Sequence, residues 1–225
     1  MKTPIEEKFS NFYEKWMMEL EDLLELLEGR RESPESDYVT KVNKLTTHHK
    51  NYYKFKWAAA HEDILAFFTP VWLSPHENAH LWITGWKPST AFRLVEQEAQ
   101  TRLSSLTEEQ KKNIAALSAK IKMEEGKVES DMERQHMELA SRKMVELVKL
   151  KNRAERRGGL DAARVSGSVD VMMQGLLVGL ERVMKMADCV RLKALKGVLD
   201  ILSPMQGVQF LASMSILQIR VRKME

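Results

Sequence analysis

The chain has 225 residues, of which 44% are hydrophobic and 30% charged, with a formal net charge of +3. That length holds one large domain or two small ones and buries a sizeable core, and so mild a basic bias is not the footprint of a dedicated nucleic-acid binder. A single cysteine, Cys189, excludes an internal disulfide framework and fits a reducing compartment. The opening MKTPIEEKFSNF is acidic and aromatic without a long apolar core, so it does not read as a secretory signal.

Helical periodicity runs through almost every segment, and no stretch shows the period-2 alternation of a half-buried strand. A first helix is expected over about 5–27, with Phe9, Phe12, Tyr13, Trp16, Leu20, Leu23, Leu24 and Leu27 on one stripe and Gly29 as its stop. After the polar RRESPES, a second helix over about 37–68 places Val39, Val42, Leu45, His49, Tyr52, Lys56, Ala60 and Ile64 near one face, until Pro70 breaks it. A short helix starts at Ser74. The turn GWKPS follows, where Gly85 frees the backbone and Pro88 opens another helix.

The longest element is expected over about 107–157, a charged helix opened by a capping box of Thr107 and Gln110. Ile114, Leu117, Ile121 and Val128 give it a narrow apolar seam, so its other faces meet water or a second chain, and a homodimer is compatible with it. Gly158 and Gly159 end it, LDAARVSGS reads as a loop, and a helix over about 169–202 carries Gly175 and Gly179 four apart, spaced for close approach of another helix. Ser203, Pro204 and Gln206 spell a further capping box for a last helix reaching 222. The uncharged run 201–219 is too polar to span a membrane and reads as a buried amphipathic helix. No linker or repeat divides the chain. The expectation is all-α: a single multi-helix bundle over 5–222 with one long charged helix, located in the nucleus or cytoplasm.

One heptapeptide carries apparent chemistry. SPHENAH, 74–80, contains His-Glu-x-x-His, in which His76 and His80 share a helix face for Zn²⁺ and Glu77 would be the base of a hydrolase. The same letters spell a capping box, with Ser74 as N-cap, Pro75 at the first helical position and Glu77 folding back onto the Ser74 amide. A carboxylate so used is not free to serve a water, and His76 in a first turn lacks a rigid support, so the metal site is rejected. Elsewhere no phosphate loop, nucleophile elbow or placed Cys base occurs, and no enzyme is expected.

Trp72, Trp82, Trp86 and Phe92 crowd around the capped helix and form an aromatic corner. With Lys87 and the exposed side of the long helix, that corner is the expected partner-binding face. His48 and His49 beside Tyr52 and Tyr53 admit a metal or haem reading, although His49 on the inner stripe reads as a packed, hydrogen-bonded histidine. The run KLKNRAERR contains Lys149, Lys151, Arg153, Arg156 and Arg157, a patch for an acidic partner or nucleic acid. A basic zipper helix would continue into leucine heptads; here two glycines follow, so cations at a helix C-terminus are the plainer reading.

Five blocks then carry a resemblance: FYEKW (12–16), YYKFKWAAAHEDILAFFTPVWLSPHENAHLWITGWKPSTAFRL (52–94), LTEEQ (106–110), MADCVRLKAL (186–195) and LSPMQGVQFLA (202–212). In their order they resemble the plant delay-of-germination domain, shared with the C-terminal part of TGACG-binding bZIP transcription factors, and they cover about residues 5–222. The resemblance implies a helical regulatory module without known catalysis, acting in seed dormancy, germination or related developmental and transcriptional control. It implies protein partners, among them type-2C protein phosphatases and transcription co-regulators. It also brings haem, though no histidine here matches a haem motif. The absent zipper puts sequence-specific DNA binding in doubt.

Overall fold

The computed structural model describes residues 2–28, 35–99, 106–141, 145, 146, 149–152 and 160–224, and among them no strand occurs. The helices are α1 (Pro4–Glu28), α2 (Glu35–Glu62), α3 (Leu65–Phe68), α4 (Pro75–Ala79), α5 (Ser89–Glu98), α6 (Glu108–Leu139), α7 (Leu160–Ile201) and α8 (Pro204–Lys223). Among the described residues, none of these helices is long and apolar enough to cross a membrane.

α8 is the central rod. Val208, Phe210, Leu211, Met214 and Ile219 are buried, and so are Gln206, Ser213 and Ser215 on its other sides. A helix buried on several faces carries few charges, which is why the 201–219 run has none. α1 and α2 pack against α8 and each other, closing on Phe9, Trp16, Leu20 and Leu45. The C-terminal half of α7 adds Val183, Met184, Ala187, Val190, Ala194 and Val198, a 3–4 spacing that puts one stripe into the core. α6 lies antiparallel to α7, since Glu124 pairs with Lys193 at 2.8 Å while Leu117 lies where a Cβ on Gly197 would stand.

Three boundaries differ from the periodicity reading. The long helix ends at Leu139, not near 157, with Ala140 as its C-cap. No local glycine or proline marks that break; helical backbone recurs at 145–146 and 149–152. α7 begins at Leu160, so the expected loop LDAARVSGS is helical. Its alanines and arginine favour helix, and one internal glycine costs only about 1 kcal/mol against them. α2 stops at Glu62, because the Asp63 carboxylate accepts the amides of Leu65 and Ala66 at 3.1 and 3.3 Å and starts α3 instead. Of the glycine pair, Gly179 has Gln135 of α6 against it and Gly175 has open space.

Candidate functional site

Ser74 does cap α4. Its hydroxyl accepts the Glu77 amide at 3.2 Å, and the Glu77 carboxylate accepts the Ser74 amide at 2.7 Å. The Tyr13 hydroxyl also donates to Glu77 at 2.6 Å, and Arg222 donates to it at 3.3 Å and to the Trp72 carbonyl at 3.2 Å. Glu77 thereby ties α1 and α8 to the capped turn. Burial, then the neighbouring Tyr52 and Glu77, hold the Tyr13 hydroxyl protonated well above its ordinary range. His80 spends Nδ1 on the His76 carbonyl at 2.8 Å. Among the described residues no group of three His, Cys, Asp or Glu is placed to hold a metal ion.

The capping boxes of Thr107–Gln110 and Ser203–Gln206 form as read. The sequence did not show that they touch: the Gln110 amide donates to Gln206 at 2.8 Å and to the Ile201 carbonyl at 3.1 Å. One side chain therefore serves two helix starts.

Beyond α4 the backbone doubles back at Trp82–Gly85, whose amides and carbonyls pair at 2.7 and 3.2 Å. Ile83 and Thr84, both β-branched, sit at φ 40° and 59°. That conformation costs roughly 1–2 kcal/mol per residue and persists only where its surroundings enforce it. Two buried cations do so. Lys56 of α2 donates to the carbonyl and the hydroxyl of Thr84, each at 3.0 Å. Arg191 of α7 donates to the carbonyls of Trp82, Ile83 and Trp86 at 2.5, 2.8 and 2.7 Å. Asp188 pairs with both, one oxygen accepting Lys56 at 2.9 Å and Arg191 at 2.5 Å, while its other oxygen accepts the Trp57 indole at 2.9 Å. Burial, with Arg191 adding to it and Asp188 opposing it, brings the Lys56 ammonium down to about 8. A Cβ on Gly85 would stand 2.8 Å from the guanidinium carbon, so glycine is needed for the arginine to reach.

The aromatic corner divides in two. Trp72 and Phe92 are buried, Trp72 packing 4.6 Å from Phe9 and 5.1 Å from Phe67 between ring centres, so neither faces a partner as expected. Trp82, Trp86 and Lys87 stay at least partly open. The Trp82 indole and Lys87 donate to the same Glu129 oxygen of α6 at 2.7 and 3.0 Å, and these bonds, Lys87's first, hold that carboxyl below its usual range. One turn earlier, buried Glu125 accepts the Ser89 amide at 2.6 Å and caps α5 from another helix.

Both histidines pack against Trp16, His49 with its ring at 5.6 Å, but His48 is the bonded one. Its Nε2 donates to the Trp16 carbonyl at 3.1 Å, the Trp16 indole answers to the His48 carbonyl at 3.3 Å, and the rings stack at 4.8 Å. The His49 Nε2 is buried without a partner among the described residues, and burial, then His48, lowers that ring to about 4. In the basic run, Lys149 is exposed and Lys151 lies 3.7 Å from Asp170, whereas Arg153, Arg156 and Arg157 lie outside the described residues.

Two concavities among the described residues bear on function. A cleft of about 520 Å³ opens beside the strapped turn, lined from α1, α2, α5 and α8. A shallower groove of about 720 Å³ runs along α6 and α7, over Val128, Val178, Met186 and Val190. Lys56 had appeared in the sequence on an apolar stripe, and Asp188 and Arg191 stand among the buried positions of α7. A charge at core spacing was the available signal for the triad. Glu125 and Glu129 carried none, because charges of both signs are spread along α6.

The described residues thus form an all-helical body in which buried Lys56, Asp188 and Arg191 hold one turn. The model of the family described as DOG1, seed dormancy control, matches residues 16–97, the stretch from α1 through α5 that contains the strapped turn. Protein DOG1-like 4 of Arabidopsis thaliana is 46% identical over 99% of this chain and 94% of its own length. The chain belongs to the DOG1 family. Protein RESPONSE TO ABA AND SALT 1 of the same plant is 27% identical over 80% of this chain and 76% of its own. Transcription factor TGA2.3 of Oryza sativa subsp. japonica is 28% identical over 80% of this chain but only 52% of its own length.

Proposed function

We propose that this protein is a non-enzymatic regulator acting through protein–protein contacts in seed dormancy, germination or related developmental and transcriptional control, in the nucleus or cytoplasm. Kinship to DOG1-like 4 and to a transcription factor supports the regulatory setting. The observation that carries the mode of action is the α6–α7 groove. Its floor is apolar, Val178 is 55% exposed, and Lys127 and Arg182 on its walls have no carboxylate partner among the described residues. Two antiparallel helices with such a seam accept a third, and its unpaired cations select an amphipathic helix with an acidic face. Type-2C protein phosphatases and transcription co-regulators are the partner classes in this reading.

Calorimetry of purified phosphatase or co-regulator against the native protein and a Val178→Glu/Arg182→Glu variant tests it. The expected result is at least a tenfold loss, about 1.4 kcal/mol, in the variant. Unchanged binding by a folded variant moves the interface elsewhere, with Trp86→Ala and Lys87→Glu at the corner as the next pair. No binding by the native protein removes the partner classes. A salt-titrated gel shift addresses DNA: absence of a steep salt slope is expected.

The reading requires no cofactor. Of the two histidines considered for haem, His49 alone has a ring nitrogen without a partner among the described residues. A Soret shift on haem titration that His49→Ala abolishes and His48→Ala keeps would assign it; a flat titration removes it.

A further inference from the structure

We propose that the cleft beside the strapped turn binds a small amphipathic carboxylate, an apolar body carrying a single acid group. Its volume of about 520 Å³ falls inside the range of small-molecule pockets, roughly 300–1,000 Å³. Tyr52, Trp86, Met214 and Leu217 wall it from α2, the turn and α8. Such walls take a flat or extended apolar body.

Charge decides the head group. Lys56, Lys87, Arg93 and Arg191 line the cleft against Glu77 and Asp188, four cations to two carboxylates. Lys56 and Arg191 are spent on Asp188 and on the turn's carbonyls, and Lys87 on Glu129. Arg93 is not: among the described residues its side chain bonds only the Thr90 hydroxyl, at 3.4 Å, and it is exposed. An exposed guanidinium at the mouth of an aromatic cleft is a fork for a carboxylate. Two buried polar atoms on residues of the cleft lining, His49 Nε2 and Gln218 Oε1, have no hydrogen-bond partner among the described residues. Buried polar groups are normally satisfied, so a ligand that enters this wall with a hydrogen-bonding group has two atoms to meet. The cleft and the α6–α7 groove share none of their lining residues, so this site stands or falls apart from the partner reading.

The test uses the full chain and tryptophan-fluorescence titration with 1-naphthaleneacetate and dodecanoate, each beside its neutral counterpart, the amide and the alcohol. Saturable binding of an acid is expected, with the neutral counterpart weaker by about tenfold for the loss of one charge-assisted contact. Preference between the two acids tells a rigid aromatic ligand from an alkyl chain. Arg93→Gln, at an exposed site, is expected to erase the acid-over-neutral preference, and Leu217→Trp to abolish binding by filling the cleft. Failure of both acids to bind, equal binding of neutral counterparts, or indifference to both variants overturns the proposal.

Discussion

Replacing Asp188 by Asn tests whether the buried triad holds the turn. Asp188 is fully buried, and its two oxygens satisfy Lys56, Arg191 and the Trp57 indole at once. Asparagine has nearly the same shape, so little packing is lost, but it carries no charge and puts a donor where one acceptor stood. Stripping the partner from a buried cation costs about 3–5 kcal/mol. Lys56 limits the damage, because an ammonium already lowered to about 8 sheds its proton more readily once the carboxylate is gone. Arg191 has no such escape and must stay charged among the carbonyls of Trp82, Ile83 and Trp86. The expected net loss is about 3 kcal/mol, a large part of a total stability of roughly 5–15 kcal/mol. Urea unfolding followed by tryptophan fluorescence measures it, since Trp57, Trp82 and Trp86 all touch the network. A double-mutant cycle with Lys56→Met isolates the pair, with coupling of about 1–3 kcal/mol expected. A loss under about 1 kcal/mol, or simple additivity in the cycle, would refute the view that these charges hold the turn.

Gly85→Ala drives a methyl group into a guanidinium pinned by four acceptors, so it is expected to cost about 1–3 kcal/mol in the same assay. Glu77→Gln keeps the cap's shape but weakens the bonds to Tyr13 and Arg222; a loss of about 1–2 kcal/mol is expected, with no zinc in the purified protein before or after by metal analysis. Stability is expected to fall from pH 6.5 toward 4, because the unfolded chain protonates His49 at 6.5 while burial delays it to about 4 in the fold. From pH 8 toward 10 stability is expected to rise, since unfolded Lys56 keeps its proton to 10.5 and the folded one releases it at about 8. Above 10 it falls again, as burial keeps Tyr13, Tyr52 and Tyr53 protonated only in the fold. Urea midpoints that stay level between pH 8 and 10 would contradict the Lys56 assignment.

Much of this molecule was written locally. Helical period, three capping boxes and the inner faces of α1 and α7 depend on residues within one or two turns of each other, which a linear reading sees. The capping reading of SPHENAH was decided the same way, by Ser74 and Glu77 three apart. The breaks were less legible: α6 stops at Leu139 without any helix-breaking residue, and α7 absorbs Gly167 because its neighbours favour helix. The site itself was decided only in three dimensions. Lys56 and Asp188 stand 132 residues apart, and Arg191 meets the Trp82 carbonyl across 109. An isolated lysine or aspartate at a core position announces that it needs a partner but not which one, since a buried charge is tolerated wherever an opposite charge and enough carbonyls converge. The division of the aromatic corner was equally invisible, because a tryptophan's letters are the same whether its indole meets Phe9 in the core or Glu129 at the rim.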